Sequence, residues 1–465
     1  MSRKLSFSMD DESTDLIYRY EQFLTGKANG YFDVEELENI VEYYLRRGST
    51  KDCNKVIDFG LKLHPNNSIL KTKRAKIYLV TGDEKKAFRV LESLAESTDY
   101  EVILLKIEVL IKLEKVKEAF ALSTKLIADE SDDLDNVCLD IAYLYLSQSH
   151  HKIALHILEK GYSFNKLNTE LLYELAFCYE QNENFEKAIA INLEIIDIDP
   201  FANESWFNLG QLYFALMDFN KALESYEYAL AIDATDSLTC VQKAHVHFQL
   251  NQFEEAIETY QDYRKMSSFG NWQTDIFIAE CYEKMEKYDI AIQYYQQSLD
   301  ENAENYDALT GIAICLLEQE KFADSMVYIK QALEQNDEAA DAWVYLAEAF
   351  VGLDDIDNAL ISYIKSITLD PEQPDTLFAI ANICLEKSEF ELAVKYYLAA
   401  KVLDEFLEFI DMYIAIAYFK LNNVTESAIY LQYAIDKDND TLALYLEMCP
   451  ESDDVNTILQ IKKFL

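Results

Sequence analysis

Carboxylates are the most numerous side chains of this sequence that could bind a metal or transfer a proton, since Asp and Glu number 84. The stretch from Asp129 to Asp135 alternates oxygen-bearing side chains in the manner in which calcium-binding loops begin. It lacks the rest of such a loop, since Leu134 stands where the sharp turn needs glycine and Asp140 where a bidentate glutamate is expected. We therefore interpret it as a solvated turn that ends in a helix cap.

Cysteine and histidine, the other metal ligands, show no ligand spacing. None of the eight cysteines forms a C-x-x-C pair, and His150, His151 and His156 cluster without a cysteine or carboxylate at the right distance. We find no G-x-S-x-G elbow, phosphate-binding glycine loop or HExxH motif. The sequence thus predicts no catalytic residue, no metal site and no cofactor. The cysteines are expected to be buried thiols used as small apolar residues.

A repeat of 34 residues organises the chain. It is clearest from Trp206 to Tyr213, which reads Trp-Phe-Asn-Leu-Gly-Gln-Leu-Tyr and is followed by Ala222 and Tyr226. This stretch resembles the tetratricopeptide repeat (TPR) pattern W-x2-L-G-x2-Y…A-x3-F almost position for position. The resemblance implies stacked helical hairpins, which form extended binding surfaces and seldom carry chemistry.

Two positions in each repeat are occupied by small residues in register. The first helix carries Ala or Gly in ten of twelve repeats, for example Ala176, Gly210 and Ala244. The second helix carries Ala in nine repeats, and Cys or Ser in the other three. Small side chains are expected where the two helices of a hairpin cross, since a larger one would hold them apart.

The predicted fold is all-α, an α-α superhelix (solenoid) of about twelve TPR-like hairpins with short capping helices at both ends. We assign residues 1–33 to an N-terminal segment with a capping helix, 34–441 to twelve repeats and 442–465 to C-terminal capping helices. Repeats are predicted to begin near residues 34, 68, 101, 135, 169, 203, 237, 272, 306, 340, 374 and 408. No segment is apolar enough to span a membrane, so a soluble, cytoplasmic protein is expected.

The outer stripe of the first helices faces the concave side if the TPR geometry holds. In the fourth to seventh repeats this stripe is rich in large apolar side chains, which predicts a ladder that contacts a partner. An alternative left open is that a tight superhelix buries part of the stripe itself. The predicted partner-binding residues are Tyr143, Tyr173, Phe177, Phe207, Gln211, Phe214, His245 and Phe248.

The formal net charge of −43 constrains the partner. Such a surface repels nucleic acids and anionic membranes, because both carry negative charge, and it attracts basic proteins or peptides. One alternative is that the acids only keep a long solenoid soluble. The segment from Ser68 to Ile127 differs, with twelve Lys or Arg against nine acids, so Lys73, Lys76 and Lys106 form a candidate basic patch.

A chaperone-tail clamp, which some TPR domains use, places Lys and Asn on successive first helices. Here Thr72 and Lys76 stand at the corresponding positions of the second repeat, which argues against that role.

Three function classes remain. The first is a non-enzymatic scaffold that binds an extended peptide or partner helix in an acidic, aromatic-lined groove. The second is a structural protein that forms homo-oligomers through its ends at Leu444, Ile458, Ile461 or Phe464. An enzyme with an unrecognised site is the third.

Overall fold

A computed structural model of the chain describes residues 11–26, 30–129, 132–266, 272–438 and 440–453. Within these ranges it contains 26 α-helices, one short 3-10 helix and no strand. The all-α class and the count of about twelve hairpins are therefore confirmed. The chain divides into two compact units, Met1–Ile232 and Asp233–Leu465.

The first unit contains one N-terminal helix followed by six hairpins, in which α2 packs against α3, α4 against α5, and so on to α12 against α13. Its helices are α1 (Asp11–Leu24), α2 (Val34–Arg46), α3 (Thr50–Leu63), α4 (Ser68–Val80), α5 (Glu84–Glu92), α6 (Tyr100–Lys112), α7 (Val116–Asp129), α8 (Leu134–Leu146), α9 (His151–Phe164), α10 (Thr169–Gln181), α11 (Phe185–Ile198), α12 (Asn203–Ala215) and α13 (Phe219–Ile232).

The second unit contains six further hairpins, from α14 with α15 to α24 with α25, and a short C-terminal helix. Its helices are α14 (Ser237–Gln249), α15 (Phe253–Met266), α16 (Trp272–Lys284), α17 (Tyr288–Glu301), α18 (Tyr306–Glu318), α19 (Phe322–Gln335), α20 (Ala340–Gly352), α21 (Ile356–Leu369), α22 (Pro374–Glu386), α23 (Phe390–Leu403), α24 (Ile410–Lys420), α25 (Val424–Lys437) and α26 (Thr441–Met448), followed by the 3-10 helix Pro450–Asp453.

Small residues lie where the helices of a hairpin cross, as expected from the repeat. Ala142, Ala176 and Ala244 in the first helices are no more than 3% exposed, and Ala188 and Ala222 in the second helices are fully buried. Close packing leaves no room there for a longer side chain, because protein interiors have few voids larger than a water molecule.

The first repeat begins with a capping box at Asp33. The backbone N–H of Glu36 donates to Asp33 Oδ1 at 2.9 Å, and the N–H of Asp33 donates to Glu36 Oε2 at 3.0 Å. This reciprocal pair satisfies two N–H groups that have no partner within the helix.

The C-terminal end is described only in part. Of the four residues considered for self-association, Leu444 packs on a core cluster that includes Met412, Leu431 and Tyr445. Ile458, Ile461 and Phe464 lie outside the described residues, as does the rest of the predicted C-terminal capping segment beyond Asp453. The domain boundaries and the capping role of both ends remain predictions.

Every hairpin turn contains one residue in the left-handed backbone region. In the first two hairpins this residue is Gly48 or Gly82, and the other ten use non-glycine residues such as Met217, whose φ is 59°. Each such turn ends the first helix with a hydrogen bond to a carbonyl five residues earlier, as from Asp218 N to Tyr213 O at 2.9 Å. This geometry is the Schellman motif, in which glycine is usually the preferred residue.

Replacing Met217 with glycine is expected to stabilise the chain by about 0.5 to 1 kcal/mol. The left-handed region costs an L-residue about 1 to 2 kcal/mol, of which the greater flexibility of glycine in the unfolded chain cancels about half. Met217 is 78% exposed, so little packing is lost. Urea unfolding measures the change. The matched control is Leu216→Gly, at a φ of −84°, which should destabilise by a similar amount. Equal shifts of the two variants would contradict this explanation.

Candidate functional site

The predicted ladder of the first unit lies on α8, α10 and α12. Three of its members are exposed, namely Tyr143 at 37%, Phe177 at 41% and Gln211. Tyr173, Phe207 and Phe214 are half-buried. The stripe therefore contains both residues that a partner could contact and residues engaged within their own hairpin.

Phe207 and Phe214 belong to the second kind. The ring centroid of Phe207 lies 5.9 Å from that of Tyr226 on α13, and the ring of Phe214 meets Phe219 edge-on at 5.4 Å. Aromatic pairs at these distances stabilise the contact between the two helices of the hairpin. Truncating either side chain would perturb the hairpin as well as any bound partner.

In the second unit, His245 and Phe248 also pack within the fold. His245 Nδ1 and the Tyr260 hydroxyl form a hydrogen bond of 2.8 Å, and the His245 ring lies edge-on to Phe277 at 4.9 Å. Burial lowers the pKa of His245, which favours the neutral form of its ring. Phe248 contacts Phe253 at 5.5 Å. These two residues are thus part of a hairpin core.

A cleft of about 450 Å³ opens beside the exposed part of the ladder. Its walls are formed by α10 and α12 and part of its lining by α11. It brings together three residues of the predicted ladder with an acidic and amide lining that the sequence analysis did not single out. The lining residues are Tyr173, Glu174, Ala176, Phe177, Glu180, Asn192, Glu204, Asn208 and Gln211.

The carboxylates of the cleft are held in an environment that disfavours their charge. Burial raises the pKa of Glu174, and the neighbouring Glu170 and Glu204 carboxylates raise it further, against a lowering by the Tyr143 hydroxyl. That hydroxyl also donates to Glu170 Oε1 at 3.1 Å, which links α8 to α10. Burial raises the pKa of Glu180 as well. A positive group placed in the cleft would meet negative charge that the fold leaves uncompensated.

Family models described as tetratricopeptide repeat match residues 139–203, 204–236, 238–263, 282–343 and 316–374. These matches cover the hairpins that form the cleft and extend well into the second unit.

The chain is a tetratricopeptide repeat protein.

Relatives of this TPR protein are distant. Tetratricopeptide repeat protein 21A of Mus musculus is 21% identical over 292 residues, which are 62% of this chain but only 20% of that protein. The chain thus spans about a fifth of that relative's length. Among solved structures, the APC/C hetero-tetramer Cut9-Hcn1 is 14% identical, with 86% of this chain and 98% of that chain covered and a TM-score of 0.40. A TPR protein from Parabacteroides merdae ATCC 43184 is 15% identical, with 51% and 93% covered and a TM-score of 0.43.

The candidate basic patch of the TPR protein has internal partners. Lys73 Nζ lies 2.8 Å from Glu42 Oε1 and 2.9 Å from Glu38 Oε1, and Lys76 pairs with Glu101. Lys106 Nζ donates to the Leu94 carbonyl at 2.8 Å. An acidic ligand would have to displace these contacts, which would reduce its binding energy. The basic patch therefore remains a prediction.

The second unit of the TPR protein contains its own acidic group on α16. Burial, helped by the nearby Glu283 and Asp307 carboxylates, raises the pKa of Glu280 to about 7. The Glu283 carboxylate accepts a hydrogen bond from the Tyr295 hydroxyl at 2.8 Å. Within the described ranges, no three His, Cys, Asp or Glu side chains converge to hold a metal ion.

All eight cysteines of the TPR protein are buried and unpaired. Burial raises the pKa of the Cys178, Cys281 and Cys315 thiols to about 12, so these thiols stay protonated at neutral pH. Protonated, buried thiols pack as small apolar groups, as expected from the sequence.

Asn192 is the member of the cleft that sequence reasoning could have found. It stands four residues after the small residue Ala188, a position where the repeat pattern calls for an aromatic residue. Glu174, Glu180 and Glu204 gave no such signal, because acids occur throughout the first helices.

Proposed function

We propose that this TPR protein is a scaffold that binds an extended peptide, or a helix, of a basic partner protein along the first helices of its first unit. The proposed function requires no catalytic group, and we propose that the protein acts without one, in the cytoplasm. No helix within the described ranges has the length and apolar character needed to cross a membrane.

The observation that carries this proposal is the combination of exposed aromatic and acidic side chains on α8, α10 and α12. Tyr143 and Phe177 offer apolar area to a partner, and Glu170, Glu174 and Glu204 surround them with negative charge. Binding sites for proteins commonly combine aromatic anchors with complementary charge. The aromatic anchors supply most of the affinity, and the complementary charge makes association fast and selective.

The net charge of −43 supports a basic partner. Long-range attraction between opposite charges raises association rates and is weakened by salt. A partner that binds through this field should therefore associate more slowly as the salt concentration rises, while its dissociation rate changes little.

Selection of a random nonapeptide display library against the full chain tests the proposal. Peptides that bind should be enriched in basic residues, and Phe177→Ala should weaken them about tenfold or more, because truncation of an aromatic anchor typically costs about 2 kcal/mol. The matched control is Phe201→Ala, which removes a ring that is 76% exposed in the turn between α11 and α12.

Equal binding by the Phe177 and Phe201 variants would contradict the proposed surface. If no peptide is enriched and the chain forms oligomers whose mass rises with concentration, the self-assembly alternative would replace the scaffold.

A further inference from the structure

The cleft between α10 and α12 is lined at a repeat position that holds Leu, Ile or Ser in the four preceding repeats and Tyr in five of the seven that follow. Asn192 occupies a position at which five other repeats carry a tyrosine that is at most 6% exposed. In two of them this ring contacts the first helix of the next repeat, Tyr260 with Phe277 at 5.3 Å and Tyr397 with Tyr413 at 5.8 Å. Asparagine is too short to fill that volume. The equivalent tyrosines are Tyr226, Tyr260, Tyr295, Tyr363 and Tyr397.

Asn192 also leaves a hydrogen-bond acceptor without a donor. The residue is 1% exposed, and its Nδ2 donates to the Ala188 carbonyl at 3.0 Å, which fixes the orientation of the amide. Its Oδ1 is buried and accepts no hydrogen bond from the described residues. A buried acceptor without a donor destabilises the fold, so such a group in a cleft wall calls for a ligand that donates.

No internal cation neutralises the acids of this cleft. Among the described residues, no Lys, Arg or His side chain forms an ion pair with Glu174, Glu180 or Glu204, whereas Glu159 and Asp218 nearby pair with Lys187 and Lys221. The three carboxylates also do not converge closely enough to hold a metal ion. A positive group that contacts several of these carboxylates at once would have to be larger than a metal ion.

We propose that the cleft is an arginine pocket, in which the guanidinium of a partner's arginine side chain lies between the carboxylates of Glu174 and Glu204 and against the Phe177 ring. This inference rests on the proposed peptide-binding function and names the residue that the cleft recognises. Five N–H donors match a lining that consists mainly of acceptors, and the planar cation stacks on aromatic faces. A lysine ammonium offers three donors around a point charge and cannot lie flat against the rings, so it fits the cleft less well.

Saturation-transfer NMR on the full chain measures recognition of the isolated side chain. The probes are N-acetyl-arginine methylamide and its citrulline analogue, which has nearly the same shape but no positive charge. The arginine probe should bind at millimolar concentration and about tenfold or more tighter than the citrulline probe, because citrulline lacks the positive charge that strengthens hydrogen bonds to carboxylates. The corresponding lysine probe should bind between the two.

Two variants connect the binding to the cleft. Asn192→Tyr fills the cleft with the residue that five other repeats carry and should abolish binding of the arginine probe. Four of those five repeats have Ala at the small position of the first helix, as this repeat has in Ala176, so the tyrosine is compatible with that neighbour. Glu174→Gln with Glu204→Gln keeps the shape and should weaken the probe about tenfold. The control, Glu186→Gln with Glu224→Gln, changes the net charge equally at exposed positions and should leave binding unchanged.

Equal affinities for the arginine and citrulline probes, or full binding by the Asn192→Tyr variant, would overturn the arginine pocket. Absence of any probe binding at millimolar concentration would overturn it as well. In each of these cases the peptide selection with Phe177→Ala still decides the proposed function separately, since that experiment does not depend on which residue enters the cleft.

Discussion

Gly210→Leu is expected to lower the free energy of unfolding of the first unit by about 3 kcal/mol. A Cβ atom at Gly210 would lie 2.3 Å from the Tyr226 ring, and that ring is fully buried. Neither group can move away without displacing its neighbours, since protein interiors have few voids larger than a water molecule. Overpacking of a tight core typically costs about 1 to 3 kcal/mol, and leucine adds four carbons to a site that cannot accommodate one.

Urea unfolding of the full chain, with amide hydrogen exchange to locate the loss, measures this effect. The neighbouring Gln211→Leu introduces the same side chain at an exposed position and should change stability by less than about 0.5 kcal/mol. A second test uses Gly210→Ala with Tyr226→Leu. If steric conflict is the cause, the double variant should lose at least about 1 kcal/mol less than the sum of the single variants. If the stability losses of the two single variants simply added up in the double variant, the steric explanation would be contradicted.

Asp411→Ala is expected to destabilise the second unit by about 3 kcal/mol. The Asp411 side chain on α24 is 2% exposed and lies 2.8 Å from Lys437 Nζ, with Lys401 Nζ on its other oxygen. Removing the carboxylate leaves two ammonium groups without their anion. Removing one partner of a buried ion pair costs about 3 to 5 kcal/mol of stability. We expect a loss at the lower limit of this range, because both lysines are partly exposed.

The matched control is Asp357→Ala, which removes an aspartate that pairs with Lys387 but is 84% exposed. Exposed pairs contribute about 0 to 1 kcal/mol, so the control should lose no more than that. Thermal unfolding followed by circular dichroism compares the two variants. A similar loss in both would show that burial of the Asp411 carboxylate does not set its contribution.

The helices of this protein could be predicted from sequence because their signals are local. Nine of the twelve expected repeat starts coincide with the first residue of a helix, including residues 34, 203 and 374. The repeat pattern predicts a start near residue 408 for the last repeat, whereas α24 begins at Ile410 after Phe409 in the left-handed region. A backbone conformation of this kind in a non-glycine residue leaves no signal in the spacing of apolar residues.

The candidate site could be predicted only in outline. The period placed Tyr143 and Phe177 on an exposed stripe, but the packing of Phe207 and Phe214 depends on Tyr226 and Phe219, which lie on the next helix. Contacts between neighbouring repeats could not be predicted from the sequence either. Lys73 finds its partner Glu42 31 residues earlier in the chain, so a count of basic residues along the sequence overstated the free positive charge.

The most direct test of the account is a crystal structure of the full chain with the tightest-binding peptide from the random library. We expect the peptide to lie along α8, α10 and α12, beside Phe177, with a basic side chain in the cleft that Asn192 and Glu174 line. A peptide that lies wholly on the second helices α9, α11 and α13, away from Phe177, would contradict it.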